Sequence, residues 1–256
     1  MSNIMWKQII GTAATAGAAL LAYMWKVAHE NTVKTHVMSL KGKAETLRVF
    51  FISDVHARRI DDALIAQLER IDIIIIGGDF CDERVSLQQV EDNLAKLVCI
   101  APTYFVWGNN DRELGEPNLL DTFDRYNVFE LNNGNVRLTQ YENPWVLAAI
   151  NDTSKRDYNI DAAFANTTDE DFVIYISHNP QVFARTVPKY APKLMLGGHL
   201  HGGQIRVGRF GMHENGAFIQ KETHAELISN GYGTTLVPLR LGAHPETHII
   251  EINVRE

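Results

Sequence analysis

A chain of 256 residues with 45% hydrophobic and 21% charged residues is neither a disordered tail nor a small disulfide-stapled module. Its net charge of −7 argues against a nucleic-acid polymer as partner, because such binding needs basic surface to displace counterions. Two cysteines, Cys81 and Cys99, are too few for a disulfide framework, and Cys99, inside an apolar run, is expected to be buried packing.

The segment 8–25 carries no charge and is bracketed by Lys7 and Lys26. Its length approaches the ~20 apolar residues that cross a bilayer. Trp6, Tyr23 and Trp25 fall at its ends, where interfacial aromatics belong, and no small-residue cleavage site follows. The segment therefore predicts an uncleaved single-pass transmembrane helix, weakly hydrophobic through its Gly, Ala and Thr content. Lys26, Lys34, Lys41 and Lys43 follow it closely, so the positive-inside rule favours an anchor in the cell membrane with the following domain on the cytoplasmic side. Residues 1–46 read as anchor and polar connector, and 47–256 as one folded domain.

Residues 47–52 are a β-branched and aromatic run, a strand. Residues 61–70 have helical spacing, with Leu64, Ile65 and Leu68 on one face. Residues 71–76, mostly Ile and closed by Gly77-Gly78, read as a strand buried on both faces. Residues 86–98 are helical through Leu87, Val90, Leu94 and Leu97, and 103–107 form a third strand. This β-α-β-α-β alternation predicts a largely parallel sheet covered by helices. Segments 128–131, 136–139 and 145–150, separated by Asn/Gly turns, suggest a second, more antiparallel sheet. Strands at 172–176, 194–196 and 248–254 complete the pattern.

Chemistry gathers just beyond these strands. Asp54 and His56 follow the first, Asp79 the second, Asn109 the third, His178 the run at 172–176, and His199 and His201 the run at 194–196. In open α/β sheets, sites form beyond the carboxyl ends of the strands. Each fragment alone is a common accident. Together they bring seven carboxylate, imidazole and amide donors to one edge, a set that suits Mn, Fe or Zn and not a soft thiolate site.

The segments Asp54-Val55-His56, Gly77-Gly78-Asp79, Gly108-Asn109-Asn110-Asp111, His178 and Gly198-His199-Leu200-His201 resemble, in order, the five motifs of the calcineurin-like metallophosphoesterases. Downstream, His201-Gly202-Gly203-Gln204, Asn230-Gly231-Tyr232-Gly233 and Pro238-Leu239-Arg240 resemble the bacterial membrane-associated, YkuE-like branch. The resemblance implies a four-layer α/β/β/α sandwich and two divalent cations, Mn first, with Zn, Fe or Ni as alternatives. It implies that Asp79 bridges the cations, that Asp54, His56 and His201 complete one site, and that Asn109, His178 and His199 complete the other. Water activated between the cations would attack the phosphorus.

The residues assigned to the catalytic step are Asn110, Asp111 and His199. Many members of the family carry His where this chain has Asn110. Asn donates a hydrogen bond but cannot act as a general acid, which leaves leaving-group protonation open. By the same resemblance, Asp111 would orient a neighbouring ligand. Arg58, Arg59 and Arg112 either bind substrate phosphate or form surface ion pairs. Cys81 reads as packing. His213, His224 and His244 are unassigned; one of them replaces the missing acid, or all are loop residues. The function implied is a phosphodiesterase or pyrophosphatase acting at or near a membrane on a small phosphorylated substrate, a lipid-linked one among the candidates. The alternative is a non-catalytic metal-binding scaffold of the same fold.

Overall fold

The computed structural model describes residues 2–256. The elements of its first half are α1 (Ser2–Ala28), β1 (Val33–Lys41), β2 (Glu45–Ile52), α2 (Asp62–Ile65), β3 (Ile73–Ile76), α3 (Leu87–Val98), β4 (Thr103–Val106), α4 (Glu116–Tyr126) and β5 (Val128–Leu131). Those of the second half are β6 (Gly134–Arg137), β7 (Trp145–Ala149), α5 (Ile160–Ala163), β8 (Phe172–Ile176), α6 (Phe183–Tyr190), β9 (Leu194–Gly197), β10 (Ala217–Gln220), β11 (Ala225–Ile228) and β12 (Thr247–Arg255).

Two six-stranded sheets result, ordered β1-β12-β2-β3-β4-β5 and β10-β11-β9-β8-β7-β6. In the first, β2 to β5 run parallel, because each connection carries a helix back across the sheet. β12 enters antiparallel to β2. The second sheet is parallel through β11, β9, β8 and β7, and antiparallel only at its ends, β10 with β11 and β6 with β7. It is thus less antiparallel than expected, because the Asn132-Asn133-Gly134 turn makes no hairpin: it carries the chain from β5, which pairs parallel with β4 in the first sheet, to β6 in the second.

Three apolar clusters hold the layers. Leu47, Val49, Phe51, Ile73 and Ile75 meet Leu147, Ile174, Ile176, Leu194 and Leu196 between the sheets. The alternate residues Phe50, Ile52, Ile74 and Ile76 pack on Leu64, Val90, Leu94, Leu119 and Phe123 of α2, α3 and α4. Val146, Ala148, Val173 and Tyr175 pack on Ala163 of α5 and Phe183 of α6. A strand covered on both faces reads as a continuous apolar run, which is why β3 is four isoleucines.

Several expectations are corrected. The helix expected over residues 61–70 stops at Ile65, because Gln67 and Leu68 donate to carbonyls three residues back and tighten the chain out of α-geometry. The stretch read as a polar connector contains β1, an edge strand parallel to β12; its exposed side chains alternate around Met38, so its composition stays polar. α4 was not anticipated, although Pro117 sits in its first turn and Asn127 closes it in left-handed backbone. Cys99 is exposed, because it caps α3 and its apolar neighbours take the inward positions.

The expected N-terminal helix forms as α1, but the transmembrane reading is not supported. No helix among the described residues is long and apolar enough to cross a membrane. The reason is composition: Gly, Ala and Thr fill the centre of α1 where Leu or Ile would be needed. Only its carboxyl end docks. Met24, Val27 and Ala28 are buried, and the Met24 carbonyl accepts from the Arg240 amide. Ile4, Trp6, Ile9, Ile10, Leu20, Leu21 and Trp25 are exposed.

Candidate metal centre

The loops that follow β2, β3, β4, β8 and β9 converge, and they bring all six carboxylate and imidazole donors of the expected seven into two groups, the seventh being the Asn109 amide. Asp54, His56 and His201 form one, and Asp79, His178 and His199 the other; within each, one donor atom per residue lies within 4.8 Å of the rest. The groups touch. His201 Nε2 is 3.3 Å from Asp54 Oδ1, His178 Nε2 is 3.3 Å from Asp79 Oδ2, and Asp79 Oδ2 is 3.8 Å from His56 Nε2. Such spacings are those of donors sharing ions at radii of about 2 Å.

The backbone supplies this convergence through strain. Asp54, His56, Asp79, His199 and His201 all have left-handed φ, between 49° and 69°. For a residue with a Cβ that conformation costs about 1–3 kcal/mol and persists only where surroundings enforce it. Gly78, at φ 89°, lets the chain turn between two such demands, and a Cβ there would lie 2.6 Å from His178 Nδ1.

Asp111 is a main enforcer. Its carboxylate, fully buried, accepts from the backbone amides of Gly108, Asp79, Phe80 and Cys81 at 2.7–3.2 Å. It thereby ties the loop after β3 to the loop after β4. Burial, and next the Asp79 charge, push its carboxyl up to about 6. Asp111 thus acts on the backbone of Asp79, and none of its hydrogen bonds reaches an imidazole.

Two of the imidazoles, His178 and His56, are set up to offer Nε2. His178 Nδ1 lies 2.9 Å from the Gly77 carbonyl, an acceptor only, so Nδ1 carries the proton and Nε2 keeps its lone pair. That Nε2 is buried without a hydrogen-bond partner, and so is Asn109 Oδ1. His56 Nδ1 lies 3.1 Å from Asp82 Oδ2, which again frees Nε2. His56 Nε2 then faces His201 Nε2 at 3.1 Å, and because His201 Nδ1 lies 3.3 Å from the Arg240 guanidinium, a donor only, the proton between the two rings sits on His201 Nε2. Burial opposes protonation of His178, yet Asp79 and Asp54 push its pKa up to about 10. Protons are thus drawn to sites that cations would take. The orphaned atoms and the buried carboxylates fit two divalent ions.

Asn109 turns its Oδ1 inward because its Nδ2 donates to Asn110 Oδ1 at 2.7 Å. Asn110 in turn donates through Nδ2 to Glu113 Oε1 at 2.7 Å, and its amide donates to Asp79 Oδ1. The other sequence candidates lie elsewhere. Arg58 stacks on Tyr232 and donates to the carbonyls of Tyr232 and Glu30; Arg59 pairs with Asp92; Arg112 pairs with Glu116 and stacks on Trp107. His224 pairs with Glu226 and His244 with Glu30, while His213 borders a cleft beside His201. Cys81 is buried against Asp111, and burial raises its thiol above the usual range.

Two contributors were not assigned from sequence. Asp82 orients His56, and its only sequence signal is a second acid three residues after Asp79. Burial works against its charge, but hydrogen bonds from His56 and Arg84 hold its carboxyl well below the usual range. Arg240 is fully buried and donates to the carbonyls of Asn230, Gly231, Gly233, His201 and Ala243. It clamps Gly231 against Asp54, a use for the Pro238-Leu239-Arg240 motif that only the fold reveals.

Residues 47–203 match the family model described as calcineurin-like phosphoesterase. The chain is 38% identical over 251 residues to an uncharacterized protein, YpbG, of Bacillus subtilis, covering 96% of each. It is 26% identical over 243 residues to the phosphodiesterase YaeI of Escherichia coli, covering 86% of this chain and 87% of that one. Among solved structures, the NAD nucleotidase of Haemophilus influenzae superposes with a TM-score of 0.52 at 13% identity, over 75% of this chain. The chain spans 46% of that nucleotidase's length, and the likeness is one of fold. The chain belongs to the calcineurin-like phosphoesterase family. It is a hydrolase acting on phosphate esters.

Proposed function

We propose that this chain hydrolyses a phosphodiester or a pyrophosphate with two divalent cations held by Asp54, His56, Asp79, Asn109, His178, His199 and His201. The observation that carries the reading is the pair of adjoining donor groups, with buried Asn109 Oδ1 and His178 Nε2 left without partners. When bound, the cations supply Lewis acidity and an activated water for in-line attack. The oxygen, imidazole and amide donors suit Mn, with Zn, Fe and Ni as alternatives.

The chain's own residues do the positioning. Asp79 sits between the two groups and receives the Asn110 amide. Asp111 fixes the backbone on either side, and Asp82 and the Gly77 carbonyl fix the imidazole tautomers. His199, partly exposed beside His178, is the group nearest an entering ester. Asn110 is a donor and acceptor with no proton to give at neutral pH, so departure of a group that leaves unprotonated, the aryloxide of an aryl diester or the phosphate of a pyrophosphate, suits this site better than departure of an alkoxide.

We also propose that α1 associates with a membrane. Its exposed Ile4, Trp6, Ile9, Ile10, Leu20, Leu21 and Trp25 support this reading, and the lysines that follow it favour the cytoplasmic face. Turnover of bis(p-nitrophenyl) phosphate with Mn, Zn, Fe or Ni added tests the activity. Absence of turnover with every cation would favour a non-catalytic scaffold. Loss of membrane partitioning on deletion of residues 1–27 tests the association.

A further inference from the structure

Two clefts of opposite chemistry meet at His199. The first, of about 830 Å³, is lined by Asp152, Ser154, Arg156, Tyr158, Asn179 and Arg185 together with His199. Arg59, Arg84, Arg112, Arg125 and Arg137 each pair with a carboxylate. Among the described residues no carboxylate pairs with Arg156 or Arg185, and Arg185 bonds only the Tyr158 hydroxyl, at 3.3 Å. The acid facing them, Asp152, is buried and already receives the Ser154 amide and hydroxyl. Two free guanidiniums beside a phosphate-processing centre are equipped for a second anion.

The second cleft, of about 310 Å³, lies on the other side of His199 and His201 and is walled by Ile205, Met212, Leu236 and Val237. These apolar side chains are exposed, Met212 at 86% and Leu236 at 89%. The wall is built. Gln204 donates to the carbonyls of Thr235 and Val237 at 3.0 and 3.1 Å and accepts from the Thr235 amide at 2.9 Å. Leu236, between them, is held in left-handed backbone at φ 58°, a strained state for a Leu that leaves its side chain in the open. The motif His201-Gly202-Gly203-Gln204 therefore joins a metal-centre imidazole to an apolar wall.

We propose that the substrate is an amphiphilic phosphate ester. Its reacting phosphorus sits at His199, its apolar group lies along Ile205, Met212, Leu236 and Val237, and a second anionic group, of phosphate type, reaches Arg156 and Arg185. This rests on the phosphoesterase reading above and specifies its substrate class. A monoalkyl diphosphate has this order, with the inner phosphorus between the chain and the outer phosphate.

The test compares dodecyl diphosphate, below its micelle concentration, with methyl diphosphate and bis(p-nitrophenyl) phosphate on the full chain with Mn. The proposal expects kcat/KM at least about tenfold higher for the dodecyl than for the methyl compound, the scale of apolar-pocket discrimination. Leu236→Asn, which suits left-handed backbone, is expected to erase most of that preference. The Arg156→Gln/Arg185→Gln pair is expected to raise KM for both diphosphates about tenfold, a loss of charge-assisted hydrogen bonds. Neither change should move bis(p-nitrophenyl) phosphate turnover by more than about twofold. Equal use of the two diphosphates, or equal losses on all three substrates in the variants, overturns the proposal while leaving the phosphoesterase reading intact. No turnover of any substrate by the unaltered chain overturns both.

Discussion

Asp82 Oδ2 stands 3.1 Å from Nδ1 of His56, while Nε2 of the same ring faces His201 at 3.1 Å. One carboxylate therefore sets the tautomer and the aim of a ring at the centre of the site. Residues that orient metal-binding imidazoles are worth about 10–100-fold in metal affinity. Asp82→Ala is expected to weaken cation binding on that scale, with much of the turnover restored by saturating metal. Asp82→Asn keeps an acceptor and should lose less. A cation titration followed by activity checks this, and unchanged binding in Asp82→Ala would remove Asp82 from the account.

Asn110, where the family resemblance would expect a proton donor, accepts from the Asn109 amide. Asn110→Ala is expected to raise the cation concentration needed for half-maximal turnover, leaving the diester-to-monoester ratio unchanged. Asn110→His is expected to raise monoester relative to diester turnover, since His can protonate an alkoxide. Steady-state rates on paired alkyl phosphate mono- and diesters read this out. A constant ratio in Asn110→His would mean that position 110 does not govern the leaving group.

Gly231 has φ 75°, and a Cβ there would come within 2.5 Å of Asp54 Cβ. Gly231→Ala combines left-handed strain of about 1–3 kcal/mol with a displaced Asp54. It should lower the melting temperature and the cation affinity together. A melt and a titration equal to those of the unaltered chain would show that this approach is unimportant.

The seven donors were legible because each follows a strand whose apolar run is plain, as with Ile73–Ile76 before Asp79. The left-handed backbone at Asp54, His56, Asp79, His199 and His201 was not, because Asp and His, though enriched there, adopt a positive φ too seldom for the residue type to announce it. Asp82 and Arg240 escaped assignment for a related reason. They act through distant partners, 26 residues away at His56 and 39 at His201, and local pattern carries no trace of such pairing. β1 hid in a polar stretch because an edge strand buries few side chains, here Met38 alone. α1 shows the limit of reading charge without hydropathy: the absence of charge predicted a span, and Gly, Ala and Thr withhold the apolarity to make one.

Stability at low pH should report on Glu45, far from the metal centre. Its carboxylate accepts from Trp145 Nε1 and Asn143 Nδ2, both at 2.6 Å, and from the amides of Glu142 and Asn143. Burial raises its pKa, but these hydrogen bonds outweigh burial and hold it below the usual carboxylate range. A depressed folded-state pKa contributes stability above the unfolded value, near ~4.3, and loses it as pH falls through the folded value. Glu45→Gln should therefore be less stable than the unaltered chain at pH 7, with the gap narrowing toward pH 3. Thermal melts at the two pH values check this, and a gap independent of pH would exclude the carboxylate as the cause.

If Asp79 serves both donor groups, hydrolysis would require two cations held by this chain. The most direct measurement is the metal content per chain after loading and desalting, with bis(p-nitrophenyl) phosphate turnover recorded on the same samples. Two cations per active chain are expected, with loss of both metal and turnover in Asp79→Ala. Full turnover in Asp79→Ala, or turnover by a chain that carries no metal, would contradict this.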